Sequence, residues 1–261
     1  MDLRRKEFLR VLGSGLVAAL ALMSGARAAE PEPLTVKTSV ALSAALDELK
    51  PVFEQQSHIQ LAIAYTLIAD VRQRVLAGET ADVIIVSQAA MDDLEKAGKL
   101  MPGSRTSVAN TAVSLAARAG APKPDIATVD AFKNTLLAAR SIAYSDPAKG
   151  GASGVYFAQV IKRLGIADQL KGKLIPVGGA QSAVMVAKGE AELGVGQASE
   201  IVPVKGAELV GPFPGEFAST TVFAGAIGAG SKSVEAAKSL FHFLASPEAR
   251  AVLKKKGFEP G

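Results

Sequence analysis

Arg72-Gln73-Arg74-Val75-Leu76-Ala77-Gly78-Glu79-Thr80-Ala81-Asp82-Val83-Ile84-Ile85-Val86-Ser87 reads as a helix that stops and a strand that starts. Asp70 precedes it as a candidate N-cap for a helix over 71–77, and Gly78 is a C-terminal stop. Val83-Ile84-Ile85-Val86 is apolar at every position, so such a strand needs cover on both faces. Strands of that kind belong to parallel sheets with helices packed on each side.

The same rhythm extends in both directions. Residues 34–38 form a short apolar run, followed by Leu42, Leu46, Leu49 and Phe53 at helical spacing. Pro51 falls inside that helix and is expected to kink it or weaken one turn. Strands are expected at 59–65, 112–116, 141–144, 173–177, 192–195 and 220–227. Helices are expected at 91–97, 131–139 with Thr128 as cap, 154–164, 182–188, 234–244 and 247–255. Strands alternating with helices of this length define an α/β fold with parallel-rich sheets. No close repeat, low-complexity tract or Ser/Pro linker divides the chain.

Composition narrows the chemistry. The 261 residues are 49% apolar and 21% charged, enough for a substantial core. Cysteine is absent, which excludes disulfides, thiolate metal sites and cysteine nucleophiles. Only His58 and His242 are present, so no histidine cluster exists; His58 reads as a solvated surface residue and His242 as a packed one. No metal and no cofactor are expected. Tryptophan is absent and aromatics total 5%, a poor basis for stacking nucleic acid.

The net charge of +4 is concentrated at the N-terminus. Residues 1–28 carry +3, and the rest of the chain has 24 basic and 23 acidic residues. No basic stripe for nucleic acid remains. Residues 1–10 are a charged n-region, 11–23 an apolar h-region, and Ala26-Arg27-Ala28 fits a cleavage site. This is the order of an export signal, with a chain starting near Ala29 afterwards. Arg5-Lys6-Glu7-Phe8-Leu9-Arg10 resembles a degenerate twin-arginine pattern with Lys6 in the second arginine's place, so export is expected by the Sec or twin-arginine route.

Ligands of open α/β sheets bind at the carboxyl ends of strands, beside helix N-termini that favour anions. Small polar residues recur at such junctions: Ser39 and Ser43, Thr66 and Asp70, Ser87 and Gln88, Gln181 and Ser182, Gln197 and Ser199. Any one of them is also an ordinary helix cap. Lys149-Gly150-Gly151-Ala152-Ser153-Gly154 is the strongest loop, because its glycines let backbone approach a ligand. It is neither a Walker A loop nor a G-x-G-x-x-G fingerprint. Serine-hydrolase and zinc-protease motifs are missing too. Tyr65, Tyr144 and Tyr156 all fall near junctions.

These motifs, taken in order, carry a resemblance. Leu34-Thr35-Val36, Ala41-Leu42-Ser43-Ala44-Ala45-Leu46, the 72–83 stretch and Gly98-Lys99 are followed by Asp146-Pro147 and Ser153-Gly154-Val155-Tyr156. Gly189-Glu190-Ala191-Glu192-Leu193-Gly194 and Phe241-His242-Phe243-Leu244-Ala245-Ser246-Pro247 complete the series. The chain resembles, over nearly all of 34–261, the periplasmic substrate-binding proteins of ABC transporters in the molybdate-binding-protein superfamily.

That resemblance implies a type II periplasmic binding protein: two lobes joined by crossing strands, with a ligand in the cleft. Residues 29–112 plus 219–261 would form one lobe and 113–218 the other, after a signal over 1–28. It also implies a periplasmic location, a small anionic ligand, ABC transporter membrane subunits as possible partners, and a monomer. The hydroxyls that molybdate binders use fall here on Ala41, on Leu67-Ile68-Ala69 and on Gln197, so molybdate is not the expected ligand. Ser39, Thr66, Ser87, Ser153, Gly154, Tyr156, Gln181 and Gln197 are the expected ligand-binding residues, a set suited to a small organic carboxylate.

The superfamily also includes an exported isomerase that interconverts cis- and trans-aconitate, which makes a tricarboxylate isomerase the second reading. Tyr156 would then be its catalytic residue, with Asp70 and Glu200 as further proton-transfer candidates and Lys149 and Arg72 as carboxylate partners.

Overall fold

The computed structural model describes residues 32–261, and the expected export signal lies outside them. The strands are β1 (Leu34–Ser39), β2 (Leu61–Thr66), β3 (Val83–Ser87), β4 (Thr106–Arg118), β5 (Ile142–Ser145), β6 (Leu174–Val177), β7 (Leu193–Gln197), β8 (Ala207–Pro212), β9 (Thr220–Ile227) and β10 (Glu259–Pro260). The helices are α1 (Ser43–Ser57), α2 (Ile68–Leu76), α3 (Gln88–Lys96), α4 (Val129–Ala138), α5 (Ala152–Arg163), α6 (Ala167–Leu170), α7 (Ser182–Lys188), α8 (Ala198–Ile201), α9 (Val234–Leu244) and α10 (Pro247–Lys255).

The strands run β2-β1-β3-β9-β4-β7-β5-β6, with β8 and β10 also on β4. The two outer groups are parallel: β1 pairs with β2 and β3, and β5 with β6 and β7. Antiparallel β9 and β4 join them. The 13-residue β4 changes partners part way along, pairing with β9 through Ala112 and with β7 from Val113. The chain returns near the same point, where Val113 N–H donates to the Ser219 carbonyl. The fold is therefore two curled α/β halves that share β4.

The alternation in β3 explains its unbroken apolar run. Val83 and Ile85 point into a cluster with Leu46, Leu49 and Phe53 of α1 and Leu240 of α9. Ile84 and Val86 point the other way, onto Val71 and Val75 of α2 and Met91 and Leu94 of α3. In the other half Leu115, Ile142 and Val195 pack under Phe132 of α4 and Phe157 of α5, while Ala116 packs with Ala183 and Ile201 on the opposite face. Each fully buried Leu, Ile or Phe contributes about 1.5–3 kcal/mol, so these layers hold both halves firmly.

Several local expectations change. α1 is continuous through Pro51, which is exposed; the missing N–H falls on the solvent side while Leu49 and Phe53 anchor the buried face. Asp70 is not the N-cap of α2. The helix begins at Ile68, and Asp70 sits in its first turn, where its carboxylate accepts from the Thr66 hydroxyl at 2.9 Å. His242 is exposed rather than packed, because Phe243 and Leu244 take the buried positions of α9. β8 pairs with the far half of β4 and has no counterpart among the expected strands.

Candidate functional site

A narrow crevice separates the two halves. One wall is Ser39 at the end of β1 with Val40 and Ala41 after it, Leu67 and Ile68 after β2, and Phe223 of β9. The other is Ser145 at the end of β5, Gly151, Ala152 and Ser153 at the start of α5, and Gln197 and Glu200 at the end of β7. Four of these junctions are carboxyl ends of parallel strands, where α/β sheets bind ligands. The crevice is nearly closed, with an interior volume of about 20 Å³.

Its donors are largely backbone. The N-cap residues of α2 and α5 are Leu67 and Gly151, and neither helix has a side-chain cap. Their first-turn N–H groups therefore remain available, with the positive end of each helix dipole behind them. By contrast Ser87, Thr128 and Ser246 cap α3, α4 and α10 with their own hydroxyls. The Ser39 hydroxyl accepts from Ala41 N–H at 3.3 Å and keeps its own proton to donate. Ser153 is buried, with its hydroxyl 3.4 Å from that of Ser145.

Two groups stand out at the end of β7. The Gln197 side chain donates through Nε2 to Thr221 Oγ1 at 2.8 Å, while its buried Oε1 has no partner in the protein. Gln197 N–H donates to Glu200 Oε2 at 3.0 Å. Glu200 is the one ionisable side chain among the residues that line the crevice. Desolvation pushes its pKa above the ordinary carboxylate range, against the opposing pull of the Gln197 N–H.

A wider groove continues outward from the crevice, sharing Ile68 and Ala152 and adding Arg72, Ser87, Gln88 and Thr221. Arg72 there is paired with Asp93 at 2.7 Å. A separate groove of about 690 Å³ lies at Arg118, Arg140 and Ser141. It sits where β5 and β7 begin, so no helix N-terminus faces it, and its Arg140 is already paired with Glu192. Volume alone does not make it the better site.

The expected residues divide. Ser39, Ser153 and Gln197 line the crevice, and Ser87 lines the outer groove. Thr66 lies outside, its hydroxyl committed to Asp70. Gln181 is exposed at the start of α7 and contributes no cap. Gly154 is turned inward, and a Cβ there would stand 1.6 Å from the Ser145 carbonyl oxygen. Its role is close packing of α5 on β5 rather than room for a ligand.

Tyr156 is also outside: its ring packs beside Phe213 and its hydroxyl donates to the Phe217 carbonyl at 3.1 Å. Tyr65 donates to Asp47, and Tyr144 packs edge-on against Phe157. Lys149 is exposed and lines neither cavity. Ser145, Gly151 and Ala152 were absent from the expected set, although the position of Gly151 ahead of an uncapped helix is a signal the sequence does carry. Ala41, Leu67, Ile68 and Gln197, where molybdate binders are expected to place hydroxyls, all line the crevice.

Two α/β halves sharing a strand, with a polar crevice at their strand ends, define a periplasmic-type binding protein. The chain belongs to the bacterial extracellular solute-binding protein family, whose model matches residues 34–259. It is 35% identical to an aconitate isomerase from a Pseudomonas species over 95% of each chain. It is 25% identical to the molybdate-binding protein ModA of Escherichia coli (strain K12), over 95% of this chain and 96% of that one. Among solved structures, the periplasmic molybdate-binding protein of Azotobacter vinelandii superposes with a TM-score of 0.72 at 21% identity, covering 87% of this chain and 99% of that one. None of the helices among the described residues is long and apolar enough to cross a membrane.

Proposed function

We propose that this is an exported solute-binding protein that holds a small organic anion, a carboxylate rather than molybdate, in the crevice. The observation that carries this reading is the lining itself. Ala41, Leu67 and Ile68 bring no hydroxyl, and Gln197 brings an amide. A tetrahedral oxyanion enclosed there would leave acceptor oxygens without donors, a costly loss away from water. A planar carboxylate needs fewer donors, and the starts of α2 and α5 with Ser39 and Ser153 supply them. Export would remove the signal near Ala28, and a monomer with lobes at 29–112 plus 219–261 and 113–218 would deliver its ligand to ABC transporter membrane subunits. Calorimetry with molybdate, sulfate and cis-aconitate tests the reading. Tight stoichiometric molybdate binding overturns it.

A second reading is isomerisation of aconitate on the same scaffold. Two observations favour it: the 35% identity to an aconitate isomerase and the single carboxyl of Glu200 in the crevice. A proton shift beside a carboxylate needs a positioned acid or base, and Glu200, whose pKa burial raises against the pull of the Gln197 N–H, is placed to serve as one. Tyr156, tied to Phe217, is a poor candidate for that part. Incubating the protein with cis-aconitate and following trans-aconitate separates the two readings.

A further inference from the structure

We propose that the crevice takes up its anion together with one proton, which Glu200 holds against the bound ligand. The inference deepens the anion-binding reading and rests on it. Glu200 is the one ionisable side chain among the crevice residues, which also include the uncapped starts of α2 and α5. One of its oxygens, Oε2, accepts Gln197 N–H at 3.0 Å; Oε1 makes no hydrogen bond in the protein. An ionised carboxyl there would face an incoming anion with like charge in a narrow crevice where solvent screening is reduced. A protonated one donates an O–H···O⁻ hydrogen bond to the same anion, which is the stronger kind of pair.

Gly257, after α10, abuts Ala198 of α8, and its neighbour Lys256 is paired with Glu48 at 2.6 Å. The elements with most contact to α8 are β4, β7, β8, α7 and the turn at Val40–Leu42. β7 and the turn have no charged residues, and the others contribute Arg118, Lys188 and Glu208. Arg118 and Glu208 lie beside the start of β7, paired in register near Leu193, and Lys188 ends the helix that precedes it. Glu200 follows the other end of that strand. The buried Oε1 of Gln197, one residue before α8, is a second acceptor on the same wall and is also in want of a donor. Burial already favours the neutral carboxyl. The proton comes from solvent as the anion enters and returns to solvent when it leaves, so no covalent step is involved.

The test is calorimetry of the purified protein with cis-aconitate as the probe, from pH 7 to 9, in buffers of different ionisation enthalpy. The ligand's own carboxyls are ionised throughout this range, so proton uptake reports the protein. Uptake should rise toward one proton per ligand at the alkaline end, with affinity falling toward tenfold per pH unit. Glu200→Gln keeps an acceptor for Gln197 N–H, and should abolish the uptake and flatten the slope. Binding by the wild-type protein without proton uptake overturns the proposal and leaves the anion reading intact. Uptake that persists in a folded Glu200→Gln variant overturns the assignment to Glu200. No binding of cis-aconitate, molybdate or sulfate at any pH sinks the anion reading itself, and this proposal with it.

Discussion

Gly154 lies so close to Ser145 that a Cβ on the glycine would stand 1.6 Å from the serine's carbonyl oxygen. The contact seats the first turn of α5 on the end of β5, and so positions Ser153 and the free N–H groups at the crevice. The obstructing atom is backbone, which cannot swing aside as a side chain would. Gly154→Ala should therefore destabilise the fold by about 1–3 kcal/mol, the usual cost of overpacking. Thermal denaturation measures it; a melting temperature equal to wild type would contradict the geometry.

Tyr156→Phe should cost stability and leave ligand binding alone. The hydroxyl joins α5 to the segment between β8 and β9 through Phe217, and it does not reach the crevice. Losing one such hydrogen bond is worth about 1 kcal/mol, or roughly 2–4 °C in a chain of this size. Unchanged cis-aconitate affinity, and unchanged turnover if the protein proves to be an isomerase, are the expected companions. A loss of binding larger than the loss of stability would return Tyr156 to the site.

The contrast between these residues shows what the sequence made legible. Periodicity and glycine stops located the helices well, and Val234–Leu244, Pro247–Lys255 and Ser182–Lys188 carry the expected bounds. Of the residues at strand–helix junctions, Ser39, Ser153 and Gln197 line the crevice. Thr66 and Tyr156 do not, because a polar residue near a strand end has two directions to face, and only packing decides between them. Thr66 finds Asp70 within its own loop, and Tyr156 finds Phe217 across 61 residues of sequence. Glycine was ambiguous for a related reason: it permits close approach by any neighbour, and at position 154 the neighbour is a strand. β8 was missed because its short run, with Gly211 and Pro212 at one end, carries a weak strand signal.

Ser153 is buried at the crevice wall, against Ser145. Ser153→Ala should weaken binding of a carboxylate probe by up to about tenfold, near 1 kcal/mol, with little change in stability. Ser153→Leu should go further, filling the crevice and abolishing binding, and it should also lower the melting temperature because the buried position has no room. Calorimetry beside thermal melts separates the two effects. Wild-type affinity in the leucine variant would remove this wall from the site.

Asp82 sets a pH dependence remote from the crevice. Burial pushes its carboxyl up, but hydrogen bonds from the Ser231 hydroxyl and from the Thr35 hydroxyl and N–H outweigh this and hold its pKa below the ordinary value. A depressed native pKa means stability that is present above the unfolded value and is lost as pH falls through the folded one. Asp82→Asn should cost about 1 kcal/mol at pH 7, allowing for solvent screening at this half-exposed site. The difference should narrow below about pH 4, where the unfolded-state carboxyl takes up its proton. Denaturant titrations at pH 7 and pH 3 check it; a constant difference would show that charge plays no part.

Glu200 predicts the opposite sign in the ligand-free protein. Desolvation raises its native pKa, with the Gln197 N–H pulling the other way, so the folded state prefers the protonated carboxyl. Its favourable contribution is therefore present at low pH and is lost as pH rises through the unfolded value and then the folded one. Glu200→Gln removes the charge while keeping an acceptor for Gln197 N–H at nearly the same place. The variant should be more stable than wild type at pH 8, where the wild-type protein must either desolvate a carboxylate or take up a proton. At pH 4, with the wild-type carboxyl neutral, the two should converge. Melting curves across that range measure the convergence without any ligand. A variant less stable than wild type at pH 8 would mean that the ionised carboxylate supports the fold, and that its charge is matched by a partner the crevice does not display.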